Sequence, residues 1–287
     1  MSIVNWRSVV VRCLPTSEEL VAHLLTEYGA DGVSVTTTPS ESESETYCEV
    51  TAYYPERFKL VQLLSDISAI DNVGTITTGL IKETDWVDNW KQYYHPARIT
   101  RFLTIVPSWQ NDYVPTQPGE LVIRLDPDTS FGTGTHPTTR LALLSLELII
   151  RGEESVIDIG TGSGVLAIAA ALLGAGQIIA TDLDAAAVSI AQSNVALNPV
   201  NNIDLKISDG LTGFEKPADI IVANILAEVL VNLISDAASL LETEGHLVLS
   251  GIYHDKIELI RQKVMETGLN IQSVMSMGEW HCLIATR

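Results

Sequence analysis

Positive charge is scarce in this chain: 17 Lys and Arg stand against 36 Asp and Glu, a formal net charge of −19 over 287 residues. Contact with a phosphate backbone needs clustered cations, so naked nucleic acid is not expected as the principal ligand. A basic protein partner would suit this field, which speeds the encounter of opposite charges. Acidity that merely keeps a protein in solution gives the same composition. Cysteine is scarcer still: Cys13, Cys48 and Cys282 form no C-x-x-C and are odd in number. That argues against a disulfide framework or a zinc site, and for reduced thiols in the cytoplasm; no metal centre is expected. Long apolar runs are missing too. The longest charge-free stretch, Ile159 to Thr181, is broken by Gly160, Gly162, Gly164, Gly174 and Gly176, so no membrane span is expected. The opening M-S-I-V-N-W-R lacks the basic start and apolar core of a signal peptide. Internal repeats are absent.

What is present fits a compact globular protein. Hydrophobic residues make up 46%, and the length suggests two domains at about 100 to 200 residues each. The first eighty or so residues read as β-α-β-β-α-β, the ferredoxin-like order. Strands fall near Asn5 to Leu14, Gly32 to Thr37, Thr46 to Tyr54 and Gly74 to Ile81, and helices near Ser17 to Tyr28 and Glu56 to Ile67. Pro39 to Glu45, P-S-E-S-E-S-E, reads as a solvated hairpin loop. Glu83 to Tyr94 suggests a short connecting helix with Trp86, Trp90, Tyr93 and Tyr94 on neighbouring turns. Extended segments follow at Ile99 to Val106 and Glu120 to Asp126, and from Pro137 helix and strand alternate as in an open parallel sheet. Two last strands, Ile271 to Met277 and Trp280 to Thr286, meet at Gly278-Glu279 and imply an antiparallel hairpin. The expected architecture is a domain over 1–81, a linker over 82–97 and a doubly wound, mostly parallel α/β domain over 98–287. A monomer is the expected state.

The chemistry concentrates in four segments. Val156 to Gly164, V-I-D-I-G-T-G-S-G, reads as strand, glycine turn and helix start, and A-T-D-L-D follows at Ala180 to Asp184. Such a turn lets a ligand lie against bare backbone. An acid about 20 residues beyond it, here Asp182, sits where a nucleoside ribose is held by its hydroxyls. The dinucleotide fingerprint needs its third glycine where Val165 stands, and this chain has it at Gly164, which counts against NAD and FAD. Leu125 to Thr139, L-D-P-D-T-S-F-G-T-G-T-H-P-T-T, alternates glycine and threonine, so backbone N–H groups and hydroxyls can converge on a ligand. His136 either touches the substrate or caps the helix that Pro137 begins. Asp219 to Ala227, D-I-I-V-A-N-I-L-A, carries Asn224 to the carboxyl edge of the sheet, where open α/β folds bind ligands. An uncharged amide there can orient an amine by donor and acceptor together; capping the next helix is the alternative. Asp209, after the strand Asp204 to Ile207, either meets a ligand or closes a turn with Gly210.

The D-x-G-x-G-x-G form with Asp158 at the strand tip resembles the first motif of methyltransferases that use S-adenosyl-L-methionine (SAM). With F-G-T-G-T-H-P-T-T, T-D-L-D, A-N-I-L-A, W-V-D-N-W-K-Q-Y-Y and G-E-W, the chain from Asp85 onward resembles the ribosomal protein L11 methyltransferase (PrmA) family. That resemblance implies a Rossmann-like methyltransferase sheet with an antiparallel C-terminal hairpin, SAM as cofactor, and N-methylation of lysine side chains and the N-terminal amine of L11. It implies cofactor contacts at Thr139, Asp158, Gly160, Gly162, Gly164, Asp182, Asp209 and Asn224, and acceptor-side roles for Asn224, Phe131, Thr133 and His136. It also implies that the small N-terminal domain recognises the substrate. Asp128 and Ser130 depart from the glycine and alanine of many relatives, and the N-terminal part matches as a pattern only. No residue stands out as an obligatory base. The alternatives are methyl transfer to another protein, an RNA or a small molecule, or SAM binding without catalysis; the absence of N-P-P-Y and the charge balance weigh against RNA.

Overall fold

The computed structural model describes residues 6–30, 33–39, 46–55, 57–81, 94–126 and 134–287. The chain divides into two compact units, Met1–Tyr94 and His95–Arg287. The first contains β1 (Trp6–Cys13), α1 (Pro15–Glu27), β2 (Val33–Pro39), β3 (Thr46–Pro55), α2 (Leu60–Ser68) and β4 (Val73–Ile81), with sheet order β2-β3-β1-β4. Every pairing in it is antiparallel, which is the ferredoxin-like topology expected from the element order. Alternation drives the packing. Val9, Val11 and Cys13 point from β1 into the same core as Cys48, Val50, Ala52 and Tyr54 of β3, while α2 contributes Leu60, Leu63 and Ile67 at helical spacing. The Tyr54 hydroxyl donates to the Leu25 carbonyl at 2.7 Å, and burial pushes its pKa up to about 12.

Helix α1 begins two residues earlier than its acidic start suggests. Pro15 opens it, as suits the first helical turn, and Ser17 instead donates its hydroxyl to the Asp71 carbonyl, 54 residues away. The residues expected to form the connecting helix and the acidic loop, 83–93 and 40–45, lie outside the described residues.

The second unit holds a three-stranded sheet of β5 (Ala97–Arg98), β6 (Leu103–Pro107) and β7 (Leu121–Leu125) in that order. Its main sheet has seven strands. These are β8 (Val156–Ile159), β9 (Ile178–Asp182), β10 (Ile203–Ile207), β11 (Ala218–Asn224), β12 (Leu241–Tyr253), β13 (Asn270–Met277) and β14 (Trp280–Thr286), ordered β10-β9-β8-β11-β12-β14-β13. The first five are parallel, and β14 runs antiparallel to both of its neighbours. All four residues of β8, Asp158 among them, are buried, as expected when helices cover both faces of a parallel sheet. One face packs on α3 (Pro137–Ile149) and α4 (Val165–Leu172), through Leu143, Leu146, Ile168 and their neighbours. The other packs on α6 (Ala227–Ser239) and α7 (Ile257–Glu266), through Leu230, Ile234, Ile260 and Val264. Helix α5 (Ala185–Ala196) links β9 to β10. The strand order reverses direction at β8, between β9 and β11, so the carboxyl ends of these strands open a crevice where such folds bind ligands. Among the described residues, no helix is long and apolar enough to cross a membrane.

Candidate active site

A cleft of ≈ 950 Å³ lies at that crevice. Its floor is the turn between β8 and α4, where Gly160, Gly162 and Gly164 all have positive φ (69°, 53° and 82°), a backbone region that costs a side chain 1–3 kcal/mol or so, on the order of other strained positions. The three glycines divide their work. Gly160 and Gly162 line the cleft, whereas Gly164 caps α4 and faces α5, where an added Cβ would lie 3.3 Å from the Ala191 side chain. Asp182, at the tip of β9, is aimed by two backbone donors: the Gly162 N–H at 2.9 Å and the Asp184 N–H at 3.0 Å. Asp209 and Ser208, after β10, line the same end.

Asp158 sits beneath the turn. It is fully buried, is not among the residues lining the cleft, and holds the Thr161 hydroxyl at 2.6 Å. Its other carboxyl oxygen, Oδ1, has no hydrogen-bond partner. Burial pushes the Asp158 pKa up to about 7; the Thr161 hydroxyl and the Ala167 amide pull the other way, and the charge of Asp182 adds to the rise.

The opposite end of the cleft is built from β11, β12, α3 and β14. Asn224 ends β11, and its Nδ2 donates to Thr139 Oγ1 at 3.2 Å. The helix that follows takes Leu226 as its N-cap, so capping does not account for the asparagine. His136 both lines the cleft and caps α3, its Nδ1 meeting Thr138 Oγ1 at 2.8 Å and the Thr138 N–H at 3.4 Å. The His136 ring stands edge-on to Trp280 at 5.1 Å, and Tyr253 meets Trp280 from another side at 5.2 Å. Ser250, buried at the end of β12, donates its hydroxyl to the Thr138 carbonyl at 2.8 Å and so fixes the first turn of α3 against the sheet.

The fold therefore brings Thr139, Gly160, Gly162, Asp182, Asp209, Asn224 and His136 to one cleft, and leaves Asp158 and Gly164 as supports outside its wall. Phe131 and Thr133 lie outside the described residues, as do Asp128 and Ser130. Sequence reasoning missed three contributors. Ile225 lines the cleft wedged between Gly160 and Gly251: an added Cβ would come within 2.4 Å of its Cγ2 at the first and 2.3 Å of its carbonyl oxygen at the second. Gly251 and Trp280 line the cleft as well; G-E-W was the one signal that pointed to Trp280.

The lining includes Asp182, Asp209 and Asp236 and, among the described residues, neither Lys nor Arg. A phosphate-bearing dinucleotide would lack a counter-charge there. A nucleoside carrying positive charge and no phosphate fits the donor set: bare glycine backbone, acids for hydroxyl and amino groups, and apolar walls from Leu183, Leu211 and Val229.

The family model described as "Ribosomal protein L11 methyltransferase (PrmA)" matches residues 5–287. A protein named ribosomal protein L11 methyltransferase from Streptococcus pneumoniae (strain Hungary19A-6) is 45% identical, the match covering 98% of this chain and 95% of that protein. The protein of that name from Lactococcus lactis subsp. lactis (strain IL1403) is 42% identical over the same shares. The crystal structure of a ribosomal protein L11 methylase from Lactobacillus delbrueckii subsp. bulgaricus is 40% identical, with a TM-score of 0.65, covering 68% of this chain and 99% of that one. With its Rossmann-like sheet, its glycine turn and a family match that runs from residue 5 to residue 287, the chain belongs to the ribosomal protein L11 methyltransferase (PrmA) family.

Proposed function

We propose that this protein is a SAM-dependent N-methyltransferase that acts in the cytoplasm on ribosomal protein L11, at lysine side chains and the N-terminal amine. Family membership supports the substrate. The observation that carries the chemistry is the pairing, within one cleft, of the Gly160–Gly162 turn and Asp182 with the Asn224–Thr139 bond. Asp182 would hold the ribose, Asp209 the adenine, and the glycine backbone the methionine part, with Asp158 shaping the turn from below through Thr161. When bound, SAM supplies an electrophilic methyl group on a positively charged sulfur.

The protein's share is to position and to dehydrate. With Nδ2 committed to Thr139, the carbonyl end of Asn224 is the one offered to an amine N–H. A lysine of ordinary pKa, about 10.4, is charged at neutral pH and must lose a proton before its lone pair can attack. The apolar surroundings given by Trp280, Ile225 and Leu226 favour the neutral form by withholding water. His136 and Trp280 confine the acceptor from the side of α3 and β14. Residues 1–81 are the substrate-recognition part, followed by a linker over 82–97.

The reading is tested by incubating the enzyme and SAM with unmethylated L11 and mapping its peptides by mass spectrometry. Increments of one methyl mass on lysine-bearing and N-terminal peptides are expected. Methyl groups appearing on ribosomal RNA or on other lysate proteins, with L11 untouched, would sink the substrate and keep the reaction class.

A further inference from the structure

Two asparagines, Asn194 in α5 and Asn198 one turn on, lie outside the cleft and are 0% and 8% exposed. A buried amide is costly unless its donors and its acceptor are matched, so their bonds say what they hold. Asn198 accepts the Arg124 N–H and donates to the Arg124 carbonyl, both at 2.8 Å. Asn194 accepts the Asp126 N–H at 2.9 Å and donates to the Ser163 carbonyl at 2.8 Å. Residues 124 and 126 share one edge of the strand direction set by β7, which is the last strand of its sheet. The two amides thus stand where another strand would pair.

Only Asn194 reaches further. Ser163 belongs to the glycine turn and lines the cleft. Asp126 follows β7 directly and precedes His136, the acceptor-side cap of α3, by ten residues in sequence. One planar side chain therefore fastens the turn at the cofactor end to the chain leading toward the acceptor end.

We propose that Asn194 is a positioning residue for methyl transfer, holding the glycine turn in register with the chain that enters the acceptor side. The proposal rests on reading the cleft as a SAM site. Three variants separate it from simple scaffolding. Asn194→Ala removes both bonds. Asn194→Asp keeps an acceptor for Asp126 but sets a carboxylate against the Ser163 carbonyl. Asn198→Ala breaks the strand-like pair and spares the turn. Each is measured by titration calorimetry with SAM, by steady-state kinetics and by Tm. Asn194→Asp should weaken SAM binding about fivefold or more, the scale of a coupling between sites, and raise KM for SAM more than it lowers kcat. Asn198→Ala should bind SAM within about twofold of the parent even where its Tm falls as far. SAM should also slow amide exchange across 120–126 in the parent protein and do so less in Asn194→Asp. Parent-like SAM affinity in Asn194→Asp, or equal weakening in Asn198→Ala, overturns the proposal. If the Asn194 variants do not fold, exchange in the parent decides: no SAM-dependent slowing at 120–126 also overturns it. A parent protein that binds no SAM overturns the cofactor reading itself, and this inference with it.

Discussion

Asn224 and Asp158 show how one fold puts two polar side chains to opposite uses. Asn224 stands at the cleft with its amide nitrogen tied to Thr139. Replacing it by Ala removes the group that orients the amine, and turnover should fall roughly tenfold or more. Unchanged turnover in a direct methyl-transfer assay would remove Asn224 from the mechanism. Asp158 is instead a buried carboxyl with a pKa pushed up to about 7 by burial, well above its ordinary 3.8. Its folded form holds a proton that the unfolded chain releases, so it favours the fold at low pH and loses that advantage as pH rises from about 4 to about 7. The cost above pH 7 is up to roughly 4 kcal/mol at 1.36 kcal/mol per unit. Asp158→Asn should therefore flatten this part of the stability profile, gaining on the parent as pH climbs from 4 to 7 in denaturant titrations. A variant that tracks the parent across this range would show that the carboxyl is not protonated there. Asp158 was legible as a motif residue but not as a buried one, because burial depends on what packs above the strand.

At the level of elements, periodicity carried most of the fold. Both β-strand alternation in the first unit and the helix–strand alternation after Pro137 are local patterns, and β14 spans Trp280–Thr286 just as its apolar run suggests. Where local pattern and structure part, a distant partner is the cause. β12 extends over Leu241–Tyr253, well upstream of its apolar run Leu247 to Leu249: Ala218 of β11 pairs with Leu241, and Glu244 takes a left-handed φ of 64° between the two paired stretches. T-E-G reads as a turn on its own. Gly251 is the other case. Its φ is 84°, and it lies directly after the Asn224–Ser250 pair of β11 and β12, where an added Cβ would come within 2.3 Å of the Ile225 carbonyl oxygen. Gly251→Ala should cost about 1–3 kcal/mol, a Tm loss of roughly 2–4 °C per kcal/mol. It should also slow turnover by displacing Asn224. Parent-like Tm and turnover would show that this crossing yields without strain.

At the scale of the whole molecule, each of the two units has a core of its own among the described residues. The core of the first unit draws on residues from Val9 to Ile67, while the two that sandwich the main sheet draw on Leu103 to Ala285. A fragment of residues 95–287 should accordingly fold and bind SAM within about twofold of the full chain, since among the described residues its hydrophobic clusters draw on Ile99 to Ala285. It should lose methylation of L11 almost entirely if the first unit recognises the substrate. Calorimetry with SAM and the mass-spectrometric assay measure the two properties apart. A fragment that still methylates L11 would relieve the first unit of that role. The main sheet also sets an order of events for the chain as it is made. β13 is synthesised before β14 but lies outside it, with β14 between β13 and β12. β13 therefore has no edge to join until β14 has emerged, and the fully buried core of β12, Leu247 to Ser250, waits with an open side. Trp280 starts β14 and lines the cleft. A ribosome making this enzyme thus holds an incomplete active site until it has read past the tryptophan codon, and the unpaired edge of β12 is the stretch most exposed to wrong partners in that interval.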